Sequence, residues 1–377
     1  MKILKEISLY IHIPFCKQKC FYCDFPSYAS LDHLKEDYVE ALCKEIEEKV
    51  FGYKIKSIFI GGGTPSYLEI SQIYKLLETI NNLNLSKDME FTMECNPGAL
   101  EKEKLETMLK GGVNRISMGL QAIQNSILKD IGRIHSFKQF EENFKLAREV
   151  GFKNINVDLM FGLPNQYIEE WKESLEVIAK LNPEHISAYS LIIEKGTPFH
   201  NLWKKNKLIL PSEDEEREMY SITKSILNQY GFNQYEISNY SKEGYECYHN
   251  KVYWKCKEYL GVGSASSSFI NGKRIKNIEN VKIYIEKIKN GDDIIQEIIE
   301  NSKEDNMEEF IFMGLRMTEG INLNEFKERF KVDINSIYKE VIDKNINRNL
   351  LMSDGEKLKL TEKGIELSNI VMSEFLL

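Results

Sequence analysis

Six short runs rich in β-branched and aromatic residues recur through the first half of the chain, at 7–13, 55–60, 90–94, 115–120, 155–160 and 186–192. Each has the length and composition of a strand. Between them apolar residues return at helical spacing, as in Ile73, Leu76, Leu77 and Ile80, or Phe137, Phe140, Phe144 and Ala147, the second set opened by a capping box of Ser136 and Gln139. Strand and helix in alternation predict a parallel sheet with crossover helices. The expected fold is therefore α/β: a partial TIM-like (β/α)6 barrel over residues 1–230, with a doubly wound open sheet as the alternative.

The rhythm then changes. An acidic run at 212–216 opens one more helix, and residues 231–296 read as a connecting region, tyrosine-rich and poor in strands between Tyr235 and Tyr259, with a Gly/Ser turn at 261–268. Residues 297–377 form a small, mainly helical C-terminal domain, with a hairpin at Asp354-Gly355 and a helix opening at Thr361. Helix, hairpin and helix could spell a winged-helix module. With 50 basic against 58 acidic residues, a formal charge of -8 and no basic recognition face, however, no nucleic-acid partner is expected. Seven cysteines, an odd number, and an N-terminus without the apolar core of a secretory signal point to reduced thiols and a cytoplasmic protein. No run approaches the roughly 18 apolar residues of a membrane span, which leaves peripheral contact as the only membrane association to consider.

Cys16, Cys20 and Cys23 follow directly on the first strand, so their thiolates leave its C-terminal end in one tight loop, where barrel proteins keep their chemistry. Three thiolates on a four-iron four-sulfur cluster leave one iron without a protein ligand, free to bind a small molecule. A structural zinc ion would want a fourth ligand, and the next cysteine, Cys43, falls in an expected helix. Further polar groups aim at the same rim. Gly61-Gly62-Gly63-Thr64-Pro65 follows the second strand, where bare backbone can approach a ligand closely; Glu94 ends the third, Gln121 follows the fourth and Asp158 lies near the end of the fifth. Singly, a triglycine is a turn and a strand-end carboxylate a helix cap. Together they mark a binding site.

The CX3CX2C spacing, with Tyr22 before the last cysteine, resembles that of the radical S-adenosylmethionine superfamily. The resemblance implies that the open iron of a [4Fe-4S] cluster chelates the methionine moiety of S-adenosyl-L-methionine and that an electron from the cluster can cleave its sulfonium bond. The runs YIHIPFC at 10–16, GGGTPS at 61–66, ECNPG at 94–98, SMGLQ at 117–121 and DLMFGLP at 158–164 are similar to the oxygen-independent coproporphyrinogen III oxidase family. That likeness covers nearly the whole chain. It implies that Tyr10, Gly62, Gly63, Thr64, Glu94, Gln121, Arg133 and Asp158 hold cofactor, with Tyr22 beside the cluster; in the oxidase several of these would contact a second S-adenosylmethionine.

Two departures matter. The oxidase has a fourth cysteine two residues after the last cluster cysteine, where this chain has Phe25, and a long extension ahead of the barrel, where here nine residues precede Tyr10. Both features are similar to the heme-chaperone branch of the family, understood to bind heme and pass it to heme-accepting proteins. The run HNKVYW at 249–254 resembles that branch's HNxxYW motif, proposed to hold heme. His249, among Tyr248, Tyr253 and Trp254, is the candidate axial ligand, with Asn250 placed to fix its tautomer and Cys247 as second choice; the aromatics could equally be core packing. The implied function is heme binding and transfer, the alternative oxidative decarboxylation of coproporphyrinogen III to protoporphyrinogen IX.

Overall fold

In the computed structural model, which describes residues 4–376, the six runs become β1 (Lys5–Ile13), β2 (Tyr53–Gly62), β3 (Leu85–Cys95), β4 (Arg115–Gln121), β5 (Ile155–Phe161) and β6 (His185–Ser190). They lie side by side and parallel. The last stops short of Ile192, which joins the wall of the cavity described below. Helices follow the strands at Lys35–Lys49, Ile70–Asn81, Lys102–Lys110, Phe137–Val150, Ile168–Lys180 and Glu213–Gln229. Ser136 caps the fourth of these as expected: its hydroxyl accepts the Gln139 amide at 3.3 Å while the Gln139 side chain accepts the Ser136 amide at 2.8 Å.

Alternation along the strands sorts their side chains by face. Leu9, Ile11, Ile58, Ile60, Phe91, Met93, Ile116, Met118, Val157 and Leu159 pack with the helices in one apolar core. Their neighbours on the other face are Ser8, His12, Ser57, Glu90, Thr92, Glu94, Arg115, Ser117, Asn156, Asp158, His185 and Ser187. Parallel strands buried on both sides ordinarily read as continuous apolar runs. Here the inner face is polar and mostly buried, which is stable only if its groups bond one another or a ligand.

Six more strands extend this sheet to twelve. β7 (Asn233–Glu236) and β8 (Asn239–Ser241) add to the β6 edge; β9 (Tyr259–Val262) lies parallel to β1 and carries β10 (Ser267–Ile270), β11 (Lys273–Asn277) and β12 (Ile295–Glu300). The order is β12-β11-β10-β9-β1-β2-β3-β4-β5-β6-β8-β7, and β12 does not pair with β7, so the barrel stays open. Two expectations are corrected. The stretch 235–259 contains β8, the end of β7 and a short helix, Tyr248–Trp254, and residue 297 falls inside β12 rather than at the start of a helical domain. Residues 231–296 thus supply strands to both edges of the sheet.

The C-terminal region has its own core, including Phe310, Phe326, Phe330, Tyr338 and Val371. Its small sheet joins β13 (Ile321–Asn322), β14 (Leu351–Ser353) and β15 (Lys357–Leu360), the last two turning at Asp354-Gly355, and Thr361 caps the helix Glu362–Glu366. This region grips the open sheet near both edges, at β7 and at β11, the strand next to the edge β12. On one side Thr318 donates its amide to the Tyr235 carbonyl and Ile237 donates to Arg316, both at 3.1 Å; on the other Arg274 of β11 makes a forked pair with Glu309 at 3.0 and 2.9 Å.

Candidate functional site

The loop after β1 is pinned before any ligand is considered. Cys16 donates its amide to the Tyr28 carbonyl at 3.1 Å, Phe21 donates to Ile131 at 3.1 Å, and Gln18 reaches the Gly132 carbonyl at 3.0 Å. All three thiols are free, and they open with Tyr22 on one cavity of about 440 Å3 at the C-terminal ends of the central strands. Burial pushes the Cys16 and Cys23 thiols up, and Cys20 beside them adds to it, so their thiolates need a positive partner such as iron.

Gly62, Gly63, Thr64, Glu94, Gln121, Arg133 and Asp158 line the same cavity. The glycines are demanded by the protein itself: a Cβ on Gly62, whose φ is +110°, would stand 2.5 Å from the His12 ring, and one on Gly63 would stand 2.7 Å from the Phe15 carbonyl oxygen. Glu94 accepts the Gly62 amide at 3.1 Å, and burial, then the charge of Asp158, raises its pKa to about 8. Asp158 accepts from Asn156 at 2.7 Å and from Ser117 at 3.2 Å. Arg133 gives Nη1 to Asn96 at 2.8 Å, while its buried Nε has no partner. Gln121 holds φ +77°, an uncommon conformation for a side-chain-bearing residue, at a break in the β4–β5 register. The donor set, three thiols with two carboxylates and an under-bonded guanidinium, fits a metal cluster beside a zwitterionic ligand.

Tyr10 and His249 do not line this cavity. The Tyr10 hydroxyl bonds His12 Nδ1 at 3.0 Å, beneath the glycine turn. His249 is 1% exposed, inside the barrel. Ser57 gives its own proton to Ser8, so its oxygen accepts from His249 Nδ1 at 2.9 Å, which leaves Nε2 to accept the Tyr253 hydroxyl at 2.9 Å. Asn250, expected to fix the tautomer, is replaced in that role by Ser57. Burial, then the Arg115 charge, lowers the imidazole pKa to about 3, so it is neutral. Cys247 is buried with its thiol 3.4 Å from Glu90, and burial raises its pKa to about 12. Tyr248 and Tyr253 pack on a small apolar cluster with Val252, Tyr259 and Phe269, and Trp254 lies under Arg316.

Sequence reasoning missed Glu90, Arg115, Asn156, His185 and Tyr235. Three of them form a buried line: Asp158 accepts from Asn156, Asn156 accepts from His185 at 2.6 Å, His185 bonds the Tyr235 hydroxyl at 2.8 Å, and that hydroxyl accepts the Cys247 amide at 3.3 Å; Glu90 meets its end at the Cys247 thiol, and Arg115 donates to Thr92 at 3.4 Å. The available signal was the polar residue at every second position of strands otherwise apolar enough for a core.

Residues 10–178 match the family described as "Radical SAM superfamily", and residues 301–367 the one described as "HemN C-terminal domain". The chain is 38% identical to the heme chaperone HemW of Lactococcus lactis, covering 99% of this chain and 98% of that protein, and 39% identical to the heme chaperone HemW of Bacillus subtilis, covering 98% and 99%. The chain belongs to the HemW family of radical SAM proteins. For a HemW-family chain a [4Fe-4S] cluster and S-adenosylmethionine are implied by the superfamily, in keeping with the donor set above. A solved coproporphyrinogen III oxidase from Escherichia coli, described as a radical SAM enzyme, superposes with a TM-score of 0.86 at 22% identity, covering 99% of this chain and 90% of that one. At that identity it establishes that the HemW-family chain has the oxidase's fold, partial barrel and C-terminal region alike. Among the described residues no helix is long and apolar enough to cross a membrane.

Proposed function

We propose that the protein is a heme chaperone that binds heme and hands it to acceptor proteins in the cytoplasm, carrying a [4Fe-4S] cluster on Cys16, Cys20 and Cys23 and S-adenosylmethionine in the adjoining cavity. The observation that carries this reading is the end-to-end likeness to proteins named heme chaperones, at 38 and 39% identity. The cavity wall supports it: the position where the oxidase family has a fourth cysteine is Phe25, 60% exposed at the mouth. When bound, the cluster supplies a reducing electron to S-adenosylmethionine. The chain's own residues position that molecule: Glu94 and Asp158 for its ammonium, Arg133 for its carboxylate, and Thr64, which donates to Cys16 Sγ at 3.6 Å, for the orientation of one thiolate. His249 is the heme ligand in this reading, once freed from its present partners.

The test is anaerobic and runs in two vessels. Reconstituted protein titrated with heme should show a saturable Soret band, and with coproporphyrinogen III, S-adenosylmethionine and a reductant it should form no protoporphyrinogen IX. Efficient turnover without saturable heme binding would replace the chaperone with the oxidase.

A further inference from the structure

The helix Tyr248–Trp254 lies against the polar inner face of the sheet, and its first turn is clasped there. The two carboxylate oxygens of Glu90, on β3, accept the amides of Tyr248 at 2.8 Å and His249 at 2.9 Å, with the Cys247 thiol as a third donor at 3.4 Å. The Tyr235 hydroxyl takes the Cys247 amide. Phe59 covers one side of the imidazole at a ring separation of 5.4 Å, and Tyr253 abuts it edge-on at 5.2 Å. An imidazole ligates iron through the lone pair of its unprotonated nitrogen, and that lone pair, on Nε2, is the one already accepting the Tyr253 proton. No flat macrocycle can reach a ring that is 1% exposed.

We propose that this segment is a latch: Glu90 holds the helix Tyr248–Trp254 shut on its own histidine, and a metal porphyrin is captured only by the fraction of molecules in which Glu90 has released the Tyr248 and His249 amides. The inference rests on the chaperone reading for the porphyrin and on the bonds alone for the clasp. Apparent affinity then equals intrinsic affinity scaled by the open fraction, so weakening the clasp tightens binding. Charged hydrogen bonds to two amides are strong enough that losing one should raise the open fraction about tenfold.

Glu90→Gln keeps the shape and one acceptor while removing the charge and the second acceptor. Tyr235→Phe deletes the hydroxyl that takes the Cys247 amide and that also bonds His185 at 2.8 Å, and serves if the first variant folds poorly by circular dichroism. Amide hydrogen exchange of the peptide spanning 247–254, measured without heme, should quicken about tenfold in Glu90→Gln and less in Tyr235→Phe, and heme should bind about tenfold more tightly in the first. Unchanged exchange in both variants would show that nothing is clasped; faster exchange with unchanged or weaker heme binding would show that the clasp does not gate capture. Heme binding by Glu90→Gln and not by the parent would support the latch in its strongest form. Binding by neither, with faster exchange, would overturn the chaperone reading while leaving the clasp in place.

Discussion

Glu94 illustrates what a ligand site costs the fold that holds it. Its carboxylate is buried near Asp158 with one amide for company, and its pKa is raised to about 8, so the fold holds a proton there that the unfolded chain, near 4.5, releases. Stability therefore declines as pH rises from about 4.5 through 8. Glu94→Gln should melt at a higher temperature than the parent at pH 9, with the gap closing toward pH 5, and should also lose the S-adenosylmethionine-induced change in the cluster's electron paramagnetic resonance spectrum. A lower melting temperature at pH 9 would mean that the residues around Glu94 compensate its charge. The thiols make a sharper test: Ala at Cys16, Cys20 or Cys23 should abolish a load of about four irons per chain, whereas Cys43→Ala, which removes a thiol from the Lys35–Lys49 helix, should not. The cysteines were legible because their spacing is local. His249 was legible as a residue and not as an environment, since Ser57 and Glu90, which enclose it, lie 192 and 159 positions away.

At the scale of elements, the turn after β2 shows how little freedom the rim has. Gly62→Ala puts a methyl into the His12 ring at a φ that L-residues avoid, and should destabilise by at least about 1–3 kcal/mol in denaturant melts, before any effect on ligand. Wild-type stability in that variant would mean His12 can turn aside. The same scale explains what the sequence could and could not convey. β1 to β6 announce themselves by alternation over five or more residues; β7, β8 and β11 are Asn233–Glu236, Asn239–Ser241 and Lys273–Asn277, too short or too polar for a period, and they are strands because an existing edge pairs with them. The capping box at Ser136 was readable because both partners lie within one turn, and the box of Ser212 and Glu215 sits inside the acidic run that announced its helix.

For the whole molecule, four buried histidines set the acid limit. His12, His135, His185 and His249 all have lowered pKa values, chiefly from burial, to about 4 at His135 and about 3 at His249. Unfolded chains take up protons at these positions near 6.5 and the fold resists, so their contribution is complete above pH 6.5 and is lost as pH falls toward 3. Glu94 acts in the opposite sense over this window, so the test is made in Glu94→Gln, where a melting temperature unchanged between pH 7.5 and 5 would contradict this account.

The grip of the C-terminal region near both sheet edges bears on the order in which a ribosome delivers the chain. Residues past 301 follow the sheet, and at typical synthesis rates the sheet waits roughly 4–15 s with the β7 edge at Tyr235 uncovered and Arg274 of β11 without Glu309. During that interval the nascent protein offers an unpaired strand edge to its neighbours, which makes slow translation past residue 301 a hazard and early capture by a folding helper an advantage. A chain stopped after Asn301 would hold that state permanently, and should be recovered in the insoluble fraction.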